Sequence, residues 1–204
     1  KGSKFSSSYA AYFYDKSTSR IISPFHDIPL YCDKKSYLIN MVVEIPRWSN
    51  AKHEIDCKAE LNPIKQDIKK GKPRFVHNLF PFHGYPWNYG AIPQTWEDPE
   101  YIDPHTQAQG DNDPLDVIDI GSSLTKTGDV IPMKVVGCIA LIDEGETDWK
   151  IIAINTDDPR HEKVDSLKTL NEHFPGVLEN TVRWLRYYKV PAGSGPNKFA
   201  FEGE

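Results

Sequence analysis

Sixteen prolines and thirteen glycines, spread over 204 residues, constrain this chain more than any other feature. Proline breaks the i→i−4 hydrogen-bond ladder and glycine weakens it, so few windows remain for a stable helix. The chain must instead be built from short strands and elaborate connections. The window 36–45 (SYLINMVVEI) is rich in β-branched and aromatic residues, is stopped by Pro46, and is expected to be a strand. Further strands are expected over 52–57, 74–79, 115–120, 130–142 and 149–154. Only two helices are expected: a short one over 164–173, and one over 177–188 with Leu178, Thr181, Leu185 and Tyr188 on a common face. The pattern predicts a mainly β, α+β protein, closed or nearly closed into a barrel.

The length suits one domain, and 39% hydrophobic residues supply a core. A net charge of −5 argues against nucleic acid as the main partner. No run approaches the ~18 apolar residues that would span a membrane. Cys32, Cys57 and Cys138 are scattered, with no C-x-x-C pair, and suit a reducing compartment. The start, KGSKFSSSYAAYF, has no initiator Met and no long apolar stretch; an expression scar, a trimmed terminus and the remnant of a removed transit peptide all fit it. The seven histidines show no metal-ligand spacing.

Residues 110–121 (GDNDPLDVIDIG) crowd Asp111, Asp113 and Asp116 into one turn ahead of a strand. Two carboxylates about 4 Å apart repel by about 4 kcal/mol at an effective dielectric near 20. Either a cation neutralises them or the turn is wet. An EF-hand fails because Leu115 and Asp116 occupy its last two places, and an aspartyl phosphotransferase fails because 106–110 is polar. Strand alternation puts Lys52 with Glu54, and Asp148 with Lys150, on common faces. A four-residue loop over 144–147 is expected to set Asp143 and Asp148 opposite each other at a hairpin mouth.

Glu44, Glu54, Asp111, Asp113, Asp116, Asp143 and Asp148 are seven carboxylates near strand ends; Lys52, Arg74, Lys150 and Lys189 are four cations. In one cavity they would leave an excess of three negative charges. Oxygen ligands of that kind suit a hard divalent ion, Mg²⁺ first. The interleaved cations would weaken a pure metal store, and they suit an anion among the metals, phosphate best.

DNDPLDV resembles the D-x-D-P-x-D-[hydrophobic] signature of the soluble, Mg-dependent family I inorganic pyrophosphatases. MVVEIPRW (41–48), NAKHEI (50–55), LNPIKQD (61–67), GYPWNYGAIPQTWEDP (84–99), DEGETDWK (143–150) and YKVP (188–191) are similar to the eukaryotic branch in order and spacing. The resemblance implies a five-stranded OB-like barrel with flanking helices. It also implies an N-terminal extension over 1–23, a catalytic domain over 24–204, and a C-terminal tail missing after Glu204. The implied reaction is hydrolysis of diphosphate to two orthophosphates by direct attack of a water bridging two metals. Several Mg²⁺ ions would serve, with Mn²⁺ or other divalent ions substituting.

By the same resemblance, Asp111, Asp116 and Asp148 hold the activating ions, Asp143 a further one, and Glu54 one at the phosphate end. Asp113 takes a proton from the attacking water, with Tyr85 beside it. Lys52, Arg74, Lys150, Lys189, Tyr89 and Tyr188 bind the phosphoryl groups, Arg74 stabilises the leaving phosphate, and Glu44 stands behind them. The implied partners are pyrophosphate, phosphate and a second copy of the chain, with no nucleic acid and no membrane. The acidic composition and unpaired cysteines make the cytoplasm the expected compartment, with the mitochondrial matrix after presequence removal as the alternative. A scaffold subunit with an idle site and a nucleotide phosphohydrolase with a base pocket are the alternatives.

Overall fold

The computed structural model describes residues 1–201; the domain end at 204 and the expected missing tail fall outside the described residues. Strand β1 (Leu38–Ile45) is buried along almost its whole length, and so its apolar run is continuous rather than alternating. Two short strands follow, β2 (His53–Ile55) and β3 (Ile64–Gln66), paired antiparallel. Then come β4 (Asn88–Ala91), β5 (Asp116–Asp119), β6 (Val130–Asp143) and β7 (Glu146–Asn155).

Strand β4 lies antiparallel between β1 and β5. Strand β5 runs parallel to β7, from Asp116↔Lys150 to Asp119↔Ala153, and β7 forms a long hairpin with β6. The start of β6 then pairs back onto β1, from Val130↔Val42 to Met133↔Ile39. These pairings close β1, β4, β5, β7 and β6 into a ring, the expected five-stranded barrel. Ile39, Met41 and Val43 of β1 meet Val117, Met133 and Ala153 in one buried cluster fed from around the ring.

Two helices cover one flank. Helix α1 (Leu167–His173) starts at a Ser166 capping box, and α2 (Val177–Tyr187) buries Thr181, Trp184 and Leu185. Trp184, absent from the expected face, is 1% exposed and is that helix's main anchor. Its indole N–H donates to the Gly84 carbonyl at 3.0 Å, and Trp87 donates to Thr181 Oγ1 at 2.9 Å. The helix thereby fixes the backbone at Gly84-Tyr85, on the edge of the cavity described below.

Two local expectations are corrected. Residues 74–79 form no strand: they make only the isolated bridges Ala51↔Phe75 and Leu79↔Phe82, and the Gln66 side-chain amide joins the backbone N–H groups at the Lys52 and Arg74 carbonyls, donating to each at 2.8 Å. The β6–β7 turn has two residues, Glu144-Gly145, both with positive φ (53° and 98°), the geometry that matches strand twist in a tight hairpin. Asp143 therefore faces Glu146 and Asp148 faces Leu141, so the two aspartates are not opposite each other.

Asp158, fully buried, ties the end of β7 to the loop after β5. Burial alone would raise its pKa. Hydrogen bonds from the Arg160 side chain and backbone and from Ser122 outweigh burial and hold the carboxyl below the usual range. A carboxylate with a depressed folded pKa stabilises above its unfolded pKa and loses that contribution as pH falls. Asp158→Ala is expected to cost about 2–3 kcal/mol at pH 7. In urea unfolding at pH 7 and at pH 3 the penalty should shrink at the lower pH; an unchanged midpoint at pH 7 would refute the assignment.

Candidate active site

The aspartate turn is built by its neighbours. The Asp113 N–H donates to Asp111 Oδ1 at 3.0 Å, and Asn112 takes a positive φ of 71°, which asparagine tolerates. The turn is stapled to the segment before it: Glu97 N–H donates to the Asp113 carbonyl and Asn112 N–H to the Glu97 carbonyl, each at 2.9 Å. Gly110 is required there, since a Cβ would lie 2.5 Å from the Glu97 carbonyl oxygen. Asp111 and Asp113 thus enter from the turn and Asp116 from the first residue of β5. Strand β7 adds Asp148 and Lys150 from one face, the last residue of β6 adds Asp143, and β2 adds Glu54.

All fourteen sequence-predicted residues line one cavity of about 1110 Å³: Glu44, Lys52, Glu54, Arg74, Tyr85, Tyr89, Asp111, Asp113, Asp116, Asp143, Asp148, Lys150, Tyr188 and Lys189. Each cation is held by a carboxylate. Lys150, 3% exposed, donates to both Asp116 and Asp148, and Tyr89 also donates to Asp116. Lys52 pairs with Glu54. Lys189 reaches Asp143 at 2.5 Å, and the Tyr188 hydroxyl donates to the same carboxylate at 3.2 Å. Arg74 pairs with Asp67 at 3.0 Å. Glu44 accepts from the Ile55 N–H at 2.7 Å and so braces β2 from behind.

The protonation equilibria follow from this crowding. Partial desolvation by the cavity wall, then the charges of Asp111, Glu54 and Asp116, push Asp113 up to about 6, although its carboxylate still meets cavity water. Burial and the charge of Asp116 put Glu44 well above the ordinary range. Burial raises Asp148 too, because one lysine does not offset both its own desolvation and the neighbouring Asp116. Lys150 moves up, its two carboxylates outweighing burial. Burial pushes Tyr85 up to about 12, so its hydroxyl stays protonated.

Two residues without an assigned role support this site, Asp67 in the cavity wall and Glu97 buried behind it. Asp67 lies in LNPIKQD and holds Arg74, with Lys52 at 3.7 Å. Glu97 lies in the 84–99 motif, and burial pushes it up to about 9. Its carboxylate oxygen lies within 4.8 Å of those of Asp111 and Asp148. Glu97 is placed by tertiary pairing, so spacing alone carries no signal for it; Asp67 faces Arg74 across the hairpin of Ile68–Lys69 and Lys72–Pro73, whose Lys70-Gly71 turn, with positive φ at both residues, is the local signal for the pair.

The all-oxygen donor set of Glu97, Asp111 and Asp148, with Glu97 Oε2 buried and unpartnered, fits a hard divalent ion. Ring and cavity together define a β-barrel protein that sets hard-cation ligands among phosphate-type cations. A family model described as inorganic pyrophosphatase matches residues 41–204, and the chain belongs to that family. It is 58% identical to the inorganic pyrophosphatase of Drosophila melanogaster over all of this chain and 60% of that protein. The solved structure of inorganic pyrophosphatase from Schistosoma japonicum superposes with a TM-score of 0.96 at 53% identity, covering 100% of this chain and 71% of that one. A truncated Trypanosoma cruzi vacuolar soluble pyrophosphatase in complex with PPi gives 0.90 at 40% identity, covering 100% and 81%. The chain spans about half to two thirds of the length of the curated relatives it matches.

Proposed function

We propose that this protein hydrolyses inorganic pyrophosphate to two orthophosphates with Mg²⁺, by direct attack of water. The observation that carries the reading is the pairing of every site cation with a carboxylate in one cavity. Such pairs are poised to exchange partners, carboxylates toward divalent ions and cations toward phosphoryl oxygens. When bound, the ions supply positive charge against substrate and carboxylates and lower the pKa of coordinated water.

The chain's own residues do the rest. Asp111, Asp116, Asp148, Asp143 and Glu54 would hold the ions. Lys52, Arg74, Lys150 and Lys189, with the hydroxyls of Tyr89 and Tyr188, would hold the two phosphoryl groups, and Arg74 would take the charge that develops on the leaving phosphate. Asp113, near neutral pKa and open to water, would accept the proton of the attacking water, with Tyr85 orienting it. No covalent intermediate is needed.

The catalytic unit in this reading is 24–204, with 1–23 as an extension. We extend it to a homodimer in the cytoplasm, or in the mitochondrial matrix after presequence removal. Among the described residues Cys32, Cys57 and Cys138 are free thiols, in keeping with either compartment, and no helix is long and apolar enough to cross a membrane. Phosphate release from pyrophosphate, ATP and p-nitrophenyl phosphate, each with Mg²⁺, tests the substrate. Pyrophosphate is expected to be preferred strongly; ATP hydrolysed as fast would favour the nucleotide reading instead.

A further inference from the structure

We propose that Glu97 is a positioning residue for the divalent ion held by Asp111 and Asp148, its Oε2 contributing to that ion's shell directly or through one coordinated water. The inference rests on the reading of the cavity as a divalent-ion site. Glu97 joins the two segments that carry the other carboxylates. Its backbone is hydrogen-bonded on both sides to the aspartate turn, at Asn112 and Asp113. Its Oε1 accepts from the Trp149 N–H at 2.9 Å, between Asp148 and Lys150 on β7. One residue thereby sets the spacing between the turn and the strand.

The second oxygen has no such structural use. Glu97 is 6% exposed, and Oε2 has no hydrogen-bond partner among the described residues. It belongs to a three-carboxylate group with Asp111 and Asp148, whose oxygens lie within 4.8 Å of one another. A glutamine would accept from Trp149 equally well, and its amide could donate to the neighbouring aspartates. For folding alone glutamine serves as well as glutamate. What glutamate adds is a second oxygen able to carry negative charge, which a buried place can use only when a cation is there.

Glu97→Gln tests this, because it keeps the Trp149 acceptor and removes only the charge and the second acceptor oxygen. Mn²⁺ binding to the full chain without pyrophosphate would be followed by the electron paramagnetic resonance signal of the free ion, with Asp111→Asn as control. The expected result is affinity lowered about 10–100-fold in Glu97→Gln, with thermal unfolding of the metal-free protein unchanged or raised. Wild-type affinity in Glu97→Gln, with loss in Asp111→Asn, would overturn the role of Glu97 and leave the ion site standing. No binding by the wild-type chain would overturn both. Should Glu97→Gln fail to fold, a crystal structure of the wild-type chain with Mn²⁺ decides: an ion beyond reach of Oε2, directly or across one water, overturns the proposal.

Discussion

Asp113→Asn is expected to lower kcat for pyrophosphate by about 10²–10⁴-fold, the usual worth of a positioned general base. Asp113 stands apart from the other site carboxylates. Asp116, Asp143, Asp148, Glu54 and Asp67 each hold a lysine or arginine, and Asp111, Glu44 and Glu97 each accept a backbone N–H, whereas no group among the described residues donates to the Asp113 carboxylate. Its backbone does the structural work, donating to Asp111 and accepting from Glu97. Asparagine keeps that backbone and the size of the side chain but cannot take a proton near neutral pH. Thermal unfolding and Mn²⁺ affinity should therefore stay close to wild type while turnover collapses. A variant retaining more than about a tenth of wild-type kcat would remove Asp113 from the proton-transfer step.

Lys150→Met is expected to destabilise the metal-free protein by about 3–5 kcal/mol, because breaking one side of a buried charge cluster leaves the other uncompensated. The lysine is 3% exposed and is the cation shared by Asp116 and Asp148. Asp148 already titrates above the ordinary carboxylate range, and without the lysine it would titrate higher still. A carboxyl whose folded pKa is raised keeps its contribution below the unfolded value of about 4 and loses it as pH rises through the folded pKa. The deficit should thus be small near pH 4 and grow toward pH 8. Divalent ions should narrow it, since they offer the two carboxylates another cation. Urea unfolding at both pH values, with chelator and with Mg²⁺, measures all of this. Equal midpoints for wild type and variant at pH 8 without metal would contradict it.

What could be read from the sequence was what depends on neighbours along the chain. Strand β1 was legible because its apolar run is unbroken, and the pairs Lys52–Glu54 and Asp148–Lys150 because period-two alternation is local. The return of β6 onto β1 joins residues about 90 positions apart, and no local pattern encodes it. The many short strands point to a nearly closed barrel and the resemblance to five strands, and this pairing is the physical closure of both. The hairpin turn was misjudged because glutamate rarely takes positive φ; Glu144 does so here, tightening the loop and moving Asp143 opposite Glu146 rather than Asp148. Glu97 and Asp67 stayed hidden for a related reason. Glu97 lies beside Asp98 in an irregular segment and meets Trp149 only through tertiary pairing, whereas Asp67 faces Arg74 across the short hairpin of Ile68–Lys69 and Lys72–Pro73, a pairing too short to stand out by alternation.

The cavity itself is tested most directly by the initial rate of phosphate release from pyrophosphate by the wild-type chain, first with Mg²⁺ and then with excess chelator. Rapid release that stops with the chelator and returns when Mg²⁺ is restored is the expected result. Release indifferent to the chelator, or no release from folded protein that binds Mg²⁺, would contradict the partner exchange between carboxylates and cations on which the proposed function rests.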